Sequence, residues 1–435
     1  MAEGLNLLLI NQTWLLDELR VLGFKISTAG FGDGRSFDFL IPDSGISIQE
    51  LLSKLPEQPD RIIVFDDSST LRIIGFERLE ILSVFYSVDA HHHSRWHRYF
   101  SSLFDLTLVA QRQHIPEFES QSDNIKWFPP WPLNLPTPAI VREFKAVFRG
   151  SLSPELHPER AKFFSQLEEI VPVDAAQGDW AEAYSRALVV VNQTVSGDLN
   201  FRNFEAIAGG ALLVTPNLYN GFSELFVEGE EYVTYSDGDV VDAASKIKYF
   251  LAYPEEAIKI ADRGREKLLL EHSGQSRAAQ LAKMLVELEP RSKKSRNLSA
   301  MLSLLPTVLS HLFREHSPGW EIQSNECFDL LTAAIDDGED LSEDFPSAGV
   351  FVVLLSLVEN SRFADLEKVG RRLLEDARVD PVIIAVFVIY ALMNQNKNEE
   401  AHRLARSYAD NSEELIAAIP HLLTQVRERV IGAQT

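Results

Sequence analysis

The stretch Leu188-Val189-Val190-Val191, Asn192 through Asn200, Phe201-Arg202-Asn203-Phe204-Glu205-Ala206-Ile207-Ala208-Gly209-Gly210 and Ala211-Leu212-Leu213-Val214-Thr215 decides the fold. The opening apolar run has no polar alternation, the pattern of a parallel strand buried on both faces. A polar, turn-prone segment follows. The run from Phe201 then reads as a helix that stops at a Gly pair suited to a left-handed terminus, and Ala211–Thr215 reads as the next strand. Strand, polar loop, helix and strand in this order bring a loop and a helix N-terminus together, where unpaired backbone N–H groups favour an anion.

The pattern extends outward in both directions. Leu5–Ile10, Phe24–Ser27, Arg61–Phe65, Ile81–Tyr86, Leu106–Ala110 and Ile125–Trp127 read as strands, with Phe37–Ile41 as a further short one. The intervening segments, among them Ile48–Leu55 and Arg95–Phe104, have helical spacing, which predicts a parallel sheet covered on both faces. Ligands in such sheets lie beyond the strand C-terminal ends. That edge receives Asp66, Asp67, Ser68 and Ser69 from one strand and Ser87, Val88, Asp89 and His91 from another. Prolines 129, 130, 132, 136 and 138 break regular structure and mark an interdomain linker. A second α/β unit begins near Ala146–Gly150. Past Arg291, Ser292-Lys293-Lys294-Ser295 forms a charged link, after which only helical patterns appear. A shift of 35 aligns Pro346 with Pro381, Leu366 with Ala401, Val369 with Leu404 and Leu373 with Tyr408, near the tetratricopeptide period. The expected division is 1–137, 138–290 and 291–435.

The 435-residue chain is 45% hydrophobic, with a formal charge of −23 and a pI near 4.9. That balance excludes a general nucleic-acid or anionic-membrane binder, so an anionic ligand needs a local cluster of Arg or Lys. A single cysteine, Cys327, excludes an intramolecular disulfide framework and suits a reducing compartment. With no membrane-length apolar run and no signal-like start, a cytoplasmic protein is expected. No Gly-x-Gly-x-x-Gly follows the first strand, which argues against a dinucleotide-dependent dehydrogenase.

The ordered pieces Asp198–Gly210, Gly221–Phe226, Gly229–Tyr232, Tyr249–Ala252, Arg263–Arg265 and His272-Ser273 resemble the donor-binding half of two-domain GT-B glycosyltransferases. They are most similar to the CgeB-like, spore-coat maturation branch, and the resemblance spans roughly Phe85–Ser273. It implies two Rossmann-like domains facing a cleft, here followed by an all-α domain with a tetratricopeptide-like character.

The resemblance implies that Glu205 holds the ribose hydroxyls of a nucleoside diphosphate sugar, a task that suits a carboxylate able to accept two hydrogen bonds. Asn200, Phe201 and Arg202, at the helix start, would face the diphosphate, with Arg149 or Arg160 as a further cation. Asn220, Gly221 and Glu224 would lie near the sugar or phosphates. Relatives carry an acid at the position of Gly197, where this chain has only the adjacent Asp198. Asp89 and His91 are candidates to orient or deprotonate an acceptor hydroxyl.

Bland alternatives stand beside each role. Glu205 and Glu224 would serve as helix-start acids, Asp89 as a helix cap, and the arginines as surface charges. His91-His92-His93 lack the i, i+4 spacing of a metal-binding helix face, so no metal is expected. No cofactor is expected beyond the sugar donor. The expected activity is retaining, metal-independent transfer to an acceptor on a protein such as flagellin, another surface component or a glycan, with the helical domain receiving a protein partner. A non-catalytic scaffold and a nucleotide-sugar epimerase are the alternatives.

Overall fold

The computed structural model describes residues 4–32, 36–69, 71–139, 141–290, 296–313, 320–338, 347–375 and 380–432. The expected link 292–295 and the repeat position Pro346 lie outside the described residues.

The strands are β1 (Asn6–Ile10), β2 (Lys25–Gly30), β3 (Phe39–Leu40), β4 (Ile46–Ser47), β5 (Arg61–Phe65), β6 (Ile73–Ile74), β7 (Leu82–Ser87), β8 (Leu106–Val109), β9 (Ile125–Trp127), β10 (Glu143–Arg149), β11 (Val173–Ala176), β12 (Ala187–Val191), β13 (Leu212–Pro216) and β14 (Val233–Tyr235). Seven form one parallel sheet, ordered β3-β2-β1-β5-β7-β8-β9, and five form a second, ordered β11-β10-β12-β13-β14. The short pair β4-β6 lies apart. Each large sheet reverses its strand order once, beside β1 and beside β10, the doubly wound signature. Every residue of β12 is buried, as a strand sandwiched between helices requires. The chain thus has the GT-B arrangement of two parallel α/β units with a helical C-terminal region.

The helices are α1 (Leu16–Val21), α2 (Ile48–Ser53), α3 (Ala90–Ser101), α4 (Ile115–Glu119), α5 (Pro158–Glu168), α6 (Trp180–Arg186), α7 (Phe201–Ala208), α8 (Phe222–Leu225), α9 (Val240–Ala252), α10 (Pro254–Lys267), α11 (Gly274–Val286), α12 (Asn297–Phe313), α13 (Trp320–Asp336), α14 (Ser347–Glu359), α15 (Phe363–Leu373), α16 (Pro381–Asn394), α17 (Asn398–Arg406) and α18 (Ser412–Gly432). Helix α7 ends at the expected Gly pair, where Gly210 takes φ +74°, a conformation that costs other residues the Cβ clash glycine lacks.

Packing adds three features to the sequence division. The proline-rich segment is not a free spacer: Phe128 and Trp131 are buried in the core beneath the first sheet. Helix α11, assigned by sequence to 138–290, lays Ala278, Leu281 and Leu285 against Leu7, Leu9 and Ile63 of that same sheet. Without this return, one face of the first sheet would be bare. The C-terminal helices share a single apolar core with the opposite face, through Phe76, Phe100 and Phe104. Leu366, Val369 and Leu373 on α15 and Ala401 and Leu404 on α17, positions aligned by the 35-residue shift, all pack into that core. Among the described residues, no helix is long and apolar enough to cross a membrane.

Candidate functional site

The two sheets bring their strand C-terminal ends to opposite sides of one junction. On the second sheet, β10 and β12 pair in parallel, so Arg149 and Asn192 emerge side by side. Arg202, on the first turn of α7, reaches back to both: its Nε donates to the Arg149 carbonyl at 2.8 Å and its Nη1 to Asn192 Oδ1 at 2.9 Å. Its guanidinium lies 4.4 Å from the centroid of the Phe148 ring. Arg160, on α5, faces the same ring at 5.9 Å and donates to the carbonyls of Gln193 at 3.1 Å and Ser151 at 3.4 Å. Among the described residues neither guanidinium has a carboxylate within ion-pair distance. Burial, reinforced by Arg202, pushes Arg160 down to about 10, against the pull of Asp198. Two like charges partly desolvated beside each other are costly unless an anion joins them.

Glu205 lies one turn beyond Arg202 and is 8% exposed. Burial raises its carboxyl to about 7, with Arg202 pulling the other way. Asn200 occupies the α7 N-cap position, yet its side chain makes no capping bond, and both of its polar side-chain atoms are buried without partners. The start of α7 therefore combines unpaired N–H groups, an unused amide and a guanidinium, all suited to phosphate oxygens.

On the first sheet β5 and β7 also pair in parallel, so Asp66 and Asp89 leave neighbouring strand ends. Asp66 accepts from the backbone N–H groups of Ser68 and Asp89, each at 2.8 Å. Burial raises its carboxyl above the ordinary range, against those two bonds. Asp89 stands at the N-cap of α3 but does not cap it; its Oδ2 accepts from the Ser68 hydroxyl instead. Helix α3 starts at Ala90, not Arg95, and so takes in His91, His92 and His93. His93 and His97 then share one face, with ring centroids 5.3 Å apart. Burial drives His97 well below its ordinary value; Ser87 Oγ lies 2.8 Å from its Nδ1, and Asp66 Oδ1 lies 3.7 Å from its Nε2. His91 is lowered chiefly by burial, against the pull of Asp198 from the facing half and of Asp89. Among the described residues no group of His, Cys, Asp and Glu is arranged to hold a metal ion.

Residues 161–283 match the family described as glycosyl transferase-like. No curated protein matches the chain. Among solved structures, a sucrose-phosphate synthase from Thermosynechococcus elongatus is similar at 13% identity and a TM-score of 0.49, over 65% of this chain and 99% of that one. A glycosyltransferase from Rickettsia africae is similar at 12% identity and 0.48, over 66% and 100%. Anabaena HepE, solved in complex with UDP and glucose, is similar at 13% identity and 0.48, over 65% and 99%.

Five of the residues expected at the donor point elsewhere. Arg149 turns its guanidinium to Asp174, with Nη2 to Oδ2 at 2.9 Å, and to the carbonyls of Phe148 and Asp174. Strand alternation explains this: Phe148 carries Arg160 and Arg202 on one face, so its neighbour faces the other. Arg160, not Arg149, shares the Phe148 ring with Arg202. Phe201 packs on Trp14 at 5.2 Å and Trp131 at 6.1 Å, inside the first unit's aromatic cluster. Asn220 is used by Gln111 and Gln113, and Glu224 pairs with Arg112. Gly221 takes φ +86°, and a Cβ there would come within 2.7 Å of the Trp127 ring. Phe201, Asn220, Gly221 and Glu224 thus meet residues of the first unit, whereas Arg149 is bonded within the second sheet.

Two residues escaped sequence reading. Gln111 is buried in the junction, and no motif marks it. His157, at the N-cap of α5, has a buried Nδ1 without a partner. Burial and the charges of Arg160, His92 and Arg202 lower its pKa, against Asp198. The signal for His157 was its place three residues before Arg160 in His157-Pro158-Glu159-Arg160.

Proposed function

We propose that the chain moves a sugar from a nucleoside diphosphate sugar to an acceptor hydroxyl. The observation that carries this reading is the Arg160–Arg202 pair: two guanidiniums over one Phe148 ring, without a carboxylate partner among the described residues, in a chain of charge −23. In this reading the diphosphate lies between the pair and the N-terminus of α7, and Glu205, ionised, holds the ribose hydroxyls. The bond from the anomeric carbon to the β-phosphate oxygen breaks, and the acceptor oxygen takes its place on that carbon. The leaving diphosphate is stabilised by the two guanidiniums and the helix dipole, so no metal is needed. The acceptor proton passes to Asp89 or His91; a His91 held neutral by burial is competent to take it.

Retention of configuration, kinship with the CgeB-like branch and a cytoplasmic setting follow from the sequence resemblance and are part of this reading. The tetratricopeptide-like character of the helical region is likewise inferred, and suits a protein that carries or delivers the acceptor. A second reading, a non-catalytic nucleotide-binding scaffold, is favoured by the diversion of Asn220 and Glu224 into the interface.

The test is release of free nucleoside diphosphate from UDP-, GDP- and TDP-sugars, with and without candidate protein and glycan acceptors. Acceptor-stimulated release of one nucleotide, abolished in Glu205→Ala and Arg202→Ala, is expected. Binding without any turnover would establish the scaffold, and free epimerised sugar without an acceptor would establish an epimerase.

A further inference from the structure

A single buried amide touches both halves of the site. Gln111 is 1% exposed and follows the end of β8. Its Nε2 donates to the carbonyl of Val88 at 3.0 Å and to that of Leu199 at 3.0 Å. Its Oε1 accepts from the backbone N–H of Leu199 at 2.9 Å and from the side-chain amide of Asn220. The partners fix which atom is which: a peptide N–H only donates and a peptide carbonyl only accepts. Both donors and both acceptor positions of the amide are filled.

The two backbones it joins are those that matter most to the site. Val88 immediately precedes Asp89 and α3, the acceptor side. Leu199 immediately precedes Asn200 and α7, the donor side. Two 3.0 Å bonds to one nitrogen keep the carbonyl oxygens of Val88 and Leu199 no more than about 6 Å apart. An apolar residue would fill a junction core at lower risk, since a buried amide with an unmade bond is destabilising. What the amide adds is a defined geometry between two backbones that otherwise belong to separate sheets.

We propose that Gln111 is a positioning residue that gears the donor and acceptor halves, so that a nucleoside diphosphate seated at α7 is felt at Asp89 and His91. This rests on the donor-site reading above. A ligand that orders Leu199 and Asn200 orders Val88 and Asp89 through the shared amide. Other junction contacts, among them Arg112 with Glu224 and Phe201 with Trp14 and Trp131, hold the units together when that amide is altered.

The test compares the full chain with Gln111→Glu, which keeps the acceptor oxygen and loses the amide donors, and with Gln111→Met, which keeps the volume and loses every bond. Calorimetry against UDP, GDP and TDP identifies the nucleotide bound by the unmutated chain. Hydrogen exchange is then followed with and without it over 193–208 and 82–101. In the unmutated chain, protection is expected in both segments. In both variants the affinity stays within about threefold and protection persists at 193–208, while protection at 82–101 is lost. Protection of both segments in both variants would overturn the gearing. Loss of nucleotide binding together with a lowered melting temperature would overturn it too, because Gln111 would then only hold the fold. Failure of every nucleotide to bind the unmutated chain would instead sink the donor-site reading, and this inference with it.

Discussion

The two faces of the junction are built from opposite materials. The donor side sets Arg160 and Arg202 on one aromatic ring, without a carboxylate partner among the described residues, and gives the nearby acid, Glu205, a carboxyl raised to about 7. The acceptor side buries Asp66 against His97 and places Asp89 and His91 at the rim. One face holds two guanidiniums that, among the described residues, have no ion-paired carboxylate. The other holds acids and imidazoles suited to receiving a proton. In a chain of charge −23, a cationic pocket is a local construction, and under the proposed function the difference would segregate anion binding and proton handling onto separate sheets.

The sharpest way to break this comparison is to remove a donor-side cation. Arg202→Ala should weaken nucleoside diphosphate binding by about 100-fold, since a charge-assisted, two-pronged contact contributes about 1.5–3 kcal/mol. Arg160→Ala should weaken it by about tenfold or more. Calorimetry at fixed ionic strength checks both, and unchanged affinities would dissolve the distinction between the faces.

Next in size is the buried acid. Glu205 has a folded value of about 7 against an ordinary 4.5. The native state therefore binds its proton more tightly than the unfolded chain. Stability attached to this group is full below 4.5, declines as pH rises towards 7, and is lost above it, a change of up to about 3 kcal/mol. Glu205→Gln should melt at a higher temperature than the unmutated chain at pH 8, and the gap should close near pH 4.5. An equal gap at both pH values would show that ionisation of Glu205 does not strain the fold.

On the acceptor side, Asp66→Ala strands the N–H groups of Ser68 and Asp89. Destabilisation of about 2 kcal/mol in urea is expected, with nucleotide affinity retained. A loss of affinity would mean that the two faces are not separate in function. Smallest are the residues turned away from the donor. Arg149→Ala and Glu224→Ala should each leave nucleotide affinity within about twofold and cost less than about 1 kcal/mol of stability. A large effect of Arg149→Ala on binding would restore it to the donor side.

Much of this contrast was legible along the chain. The apolar runs of β1, β5, β7 and β12 announce buried parallel strands, and Phe201–Gly210 announces the helix that carries Arg202 and Glu205. Asp66 and Asp89 fell on a predicted functional edge because parallel pairing makes strand ends neighbours. What was not legible depends on directions that local pattern does not set. Arg149 turned away because Phe148 had already taken the inward face, a parity visible only once Arg160 and Arg202 are placed. Gln111 and Asn220 are 109 positions apart and meet because two units dock. The start of α3 is not visible in the sequence because Ala90-His91-His92-His93 lacks an apolar period; the fully buried Ala90, packed in the core, anchors that turn.

The account turns on one measurement: calorimetric titration of the unmutated chain and of Arg160→Ala and Arg202→Ala with a nucleoside diphosphate and with the same nucleoside lacking phosphate. The account predicts that the diphosphate binds the unmutated chain, that the bare nucleoside binds far more weakly, and that both variants bring the two ligands to similar low affinity. Equal binding of diphosphate and nucleoside to the unmutated chain, or diphosphate binding that survives in both variants, would contradict it.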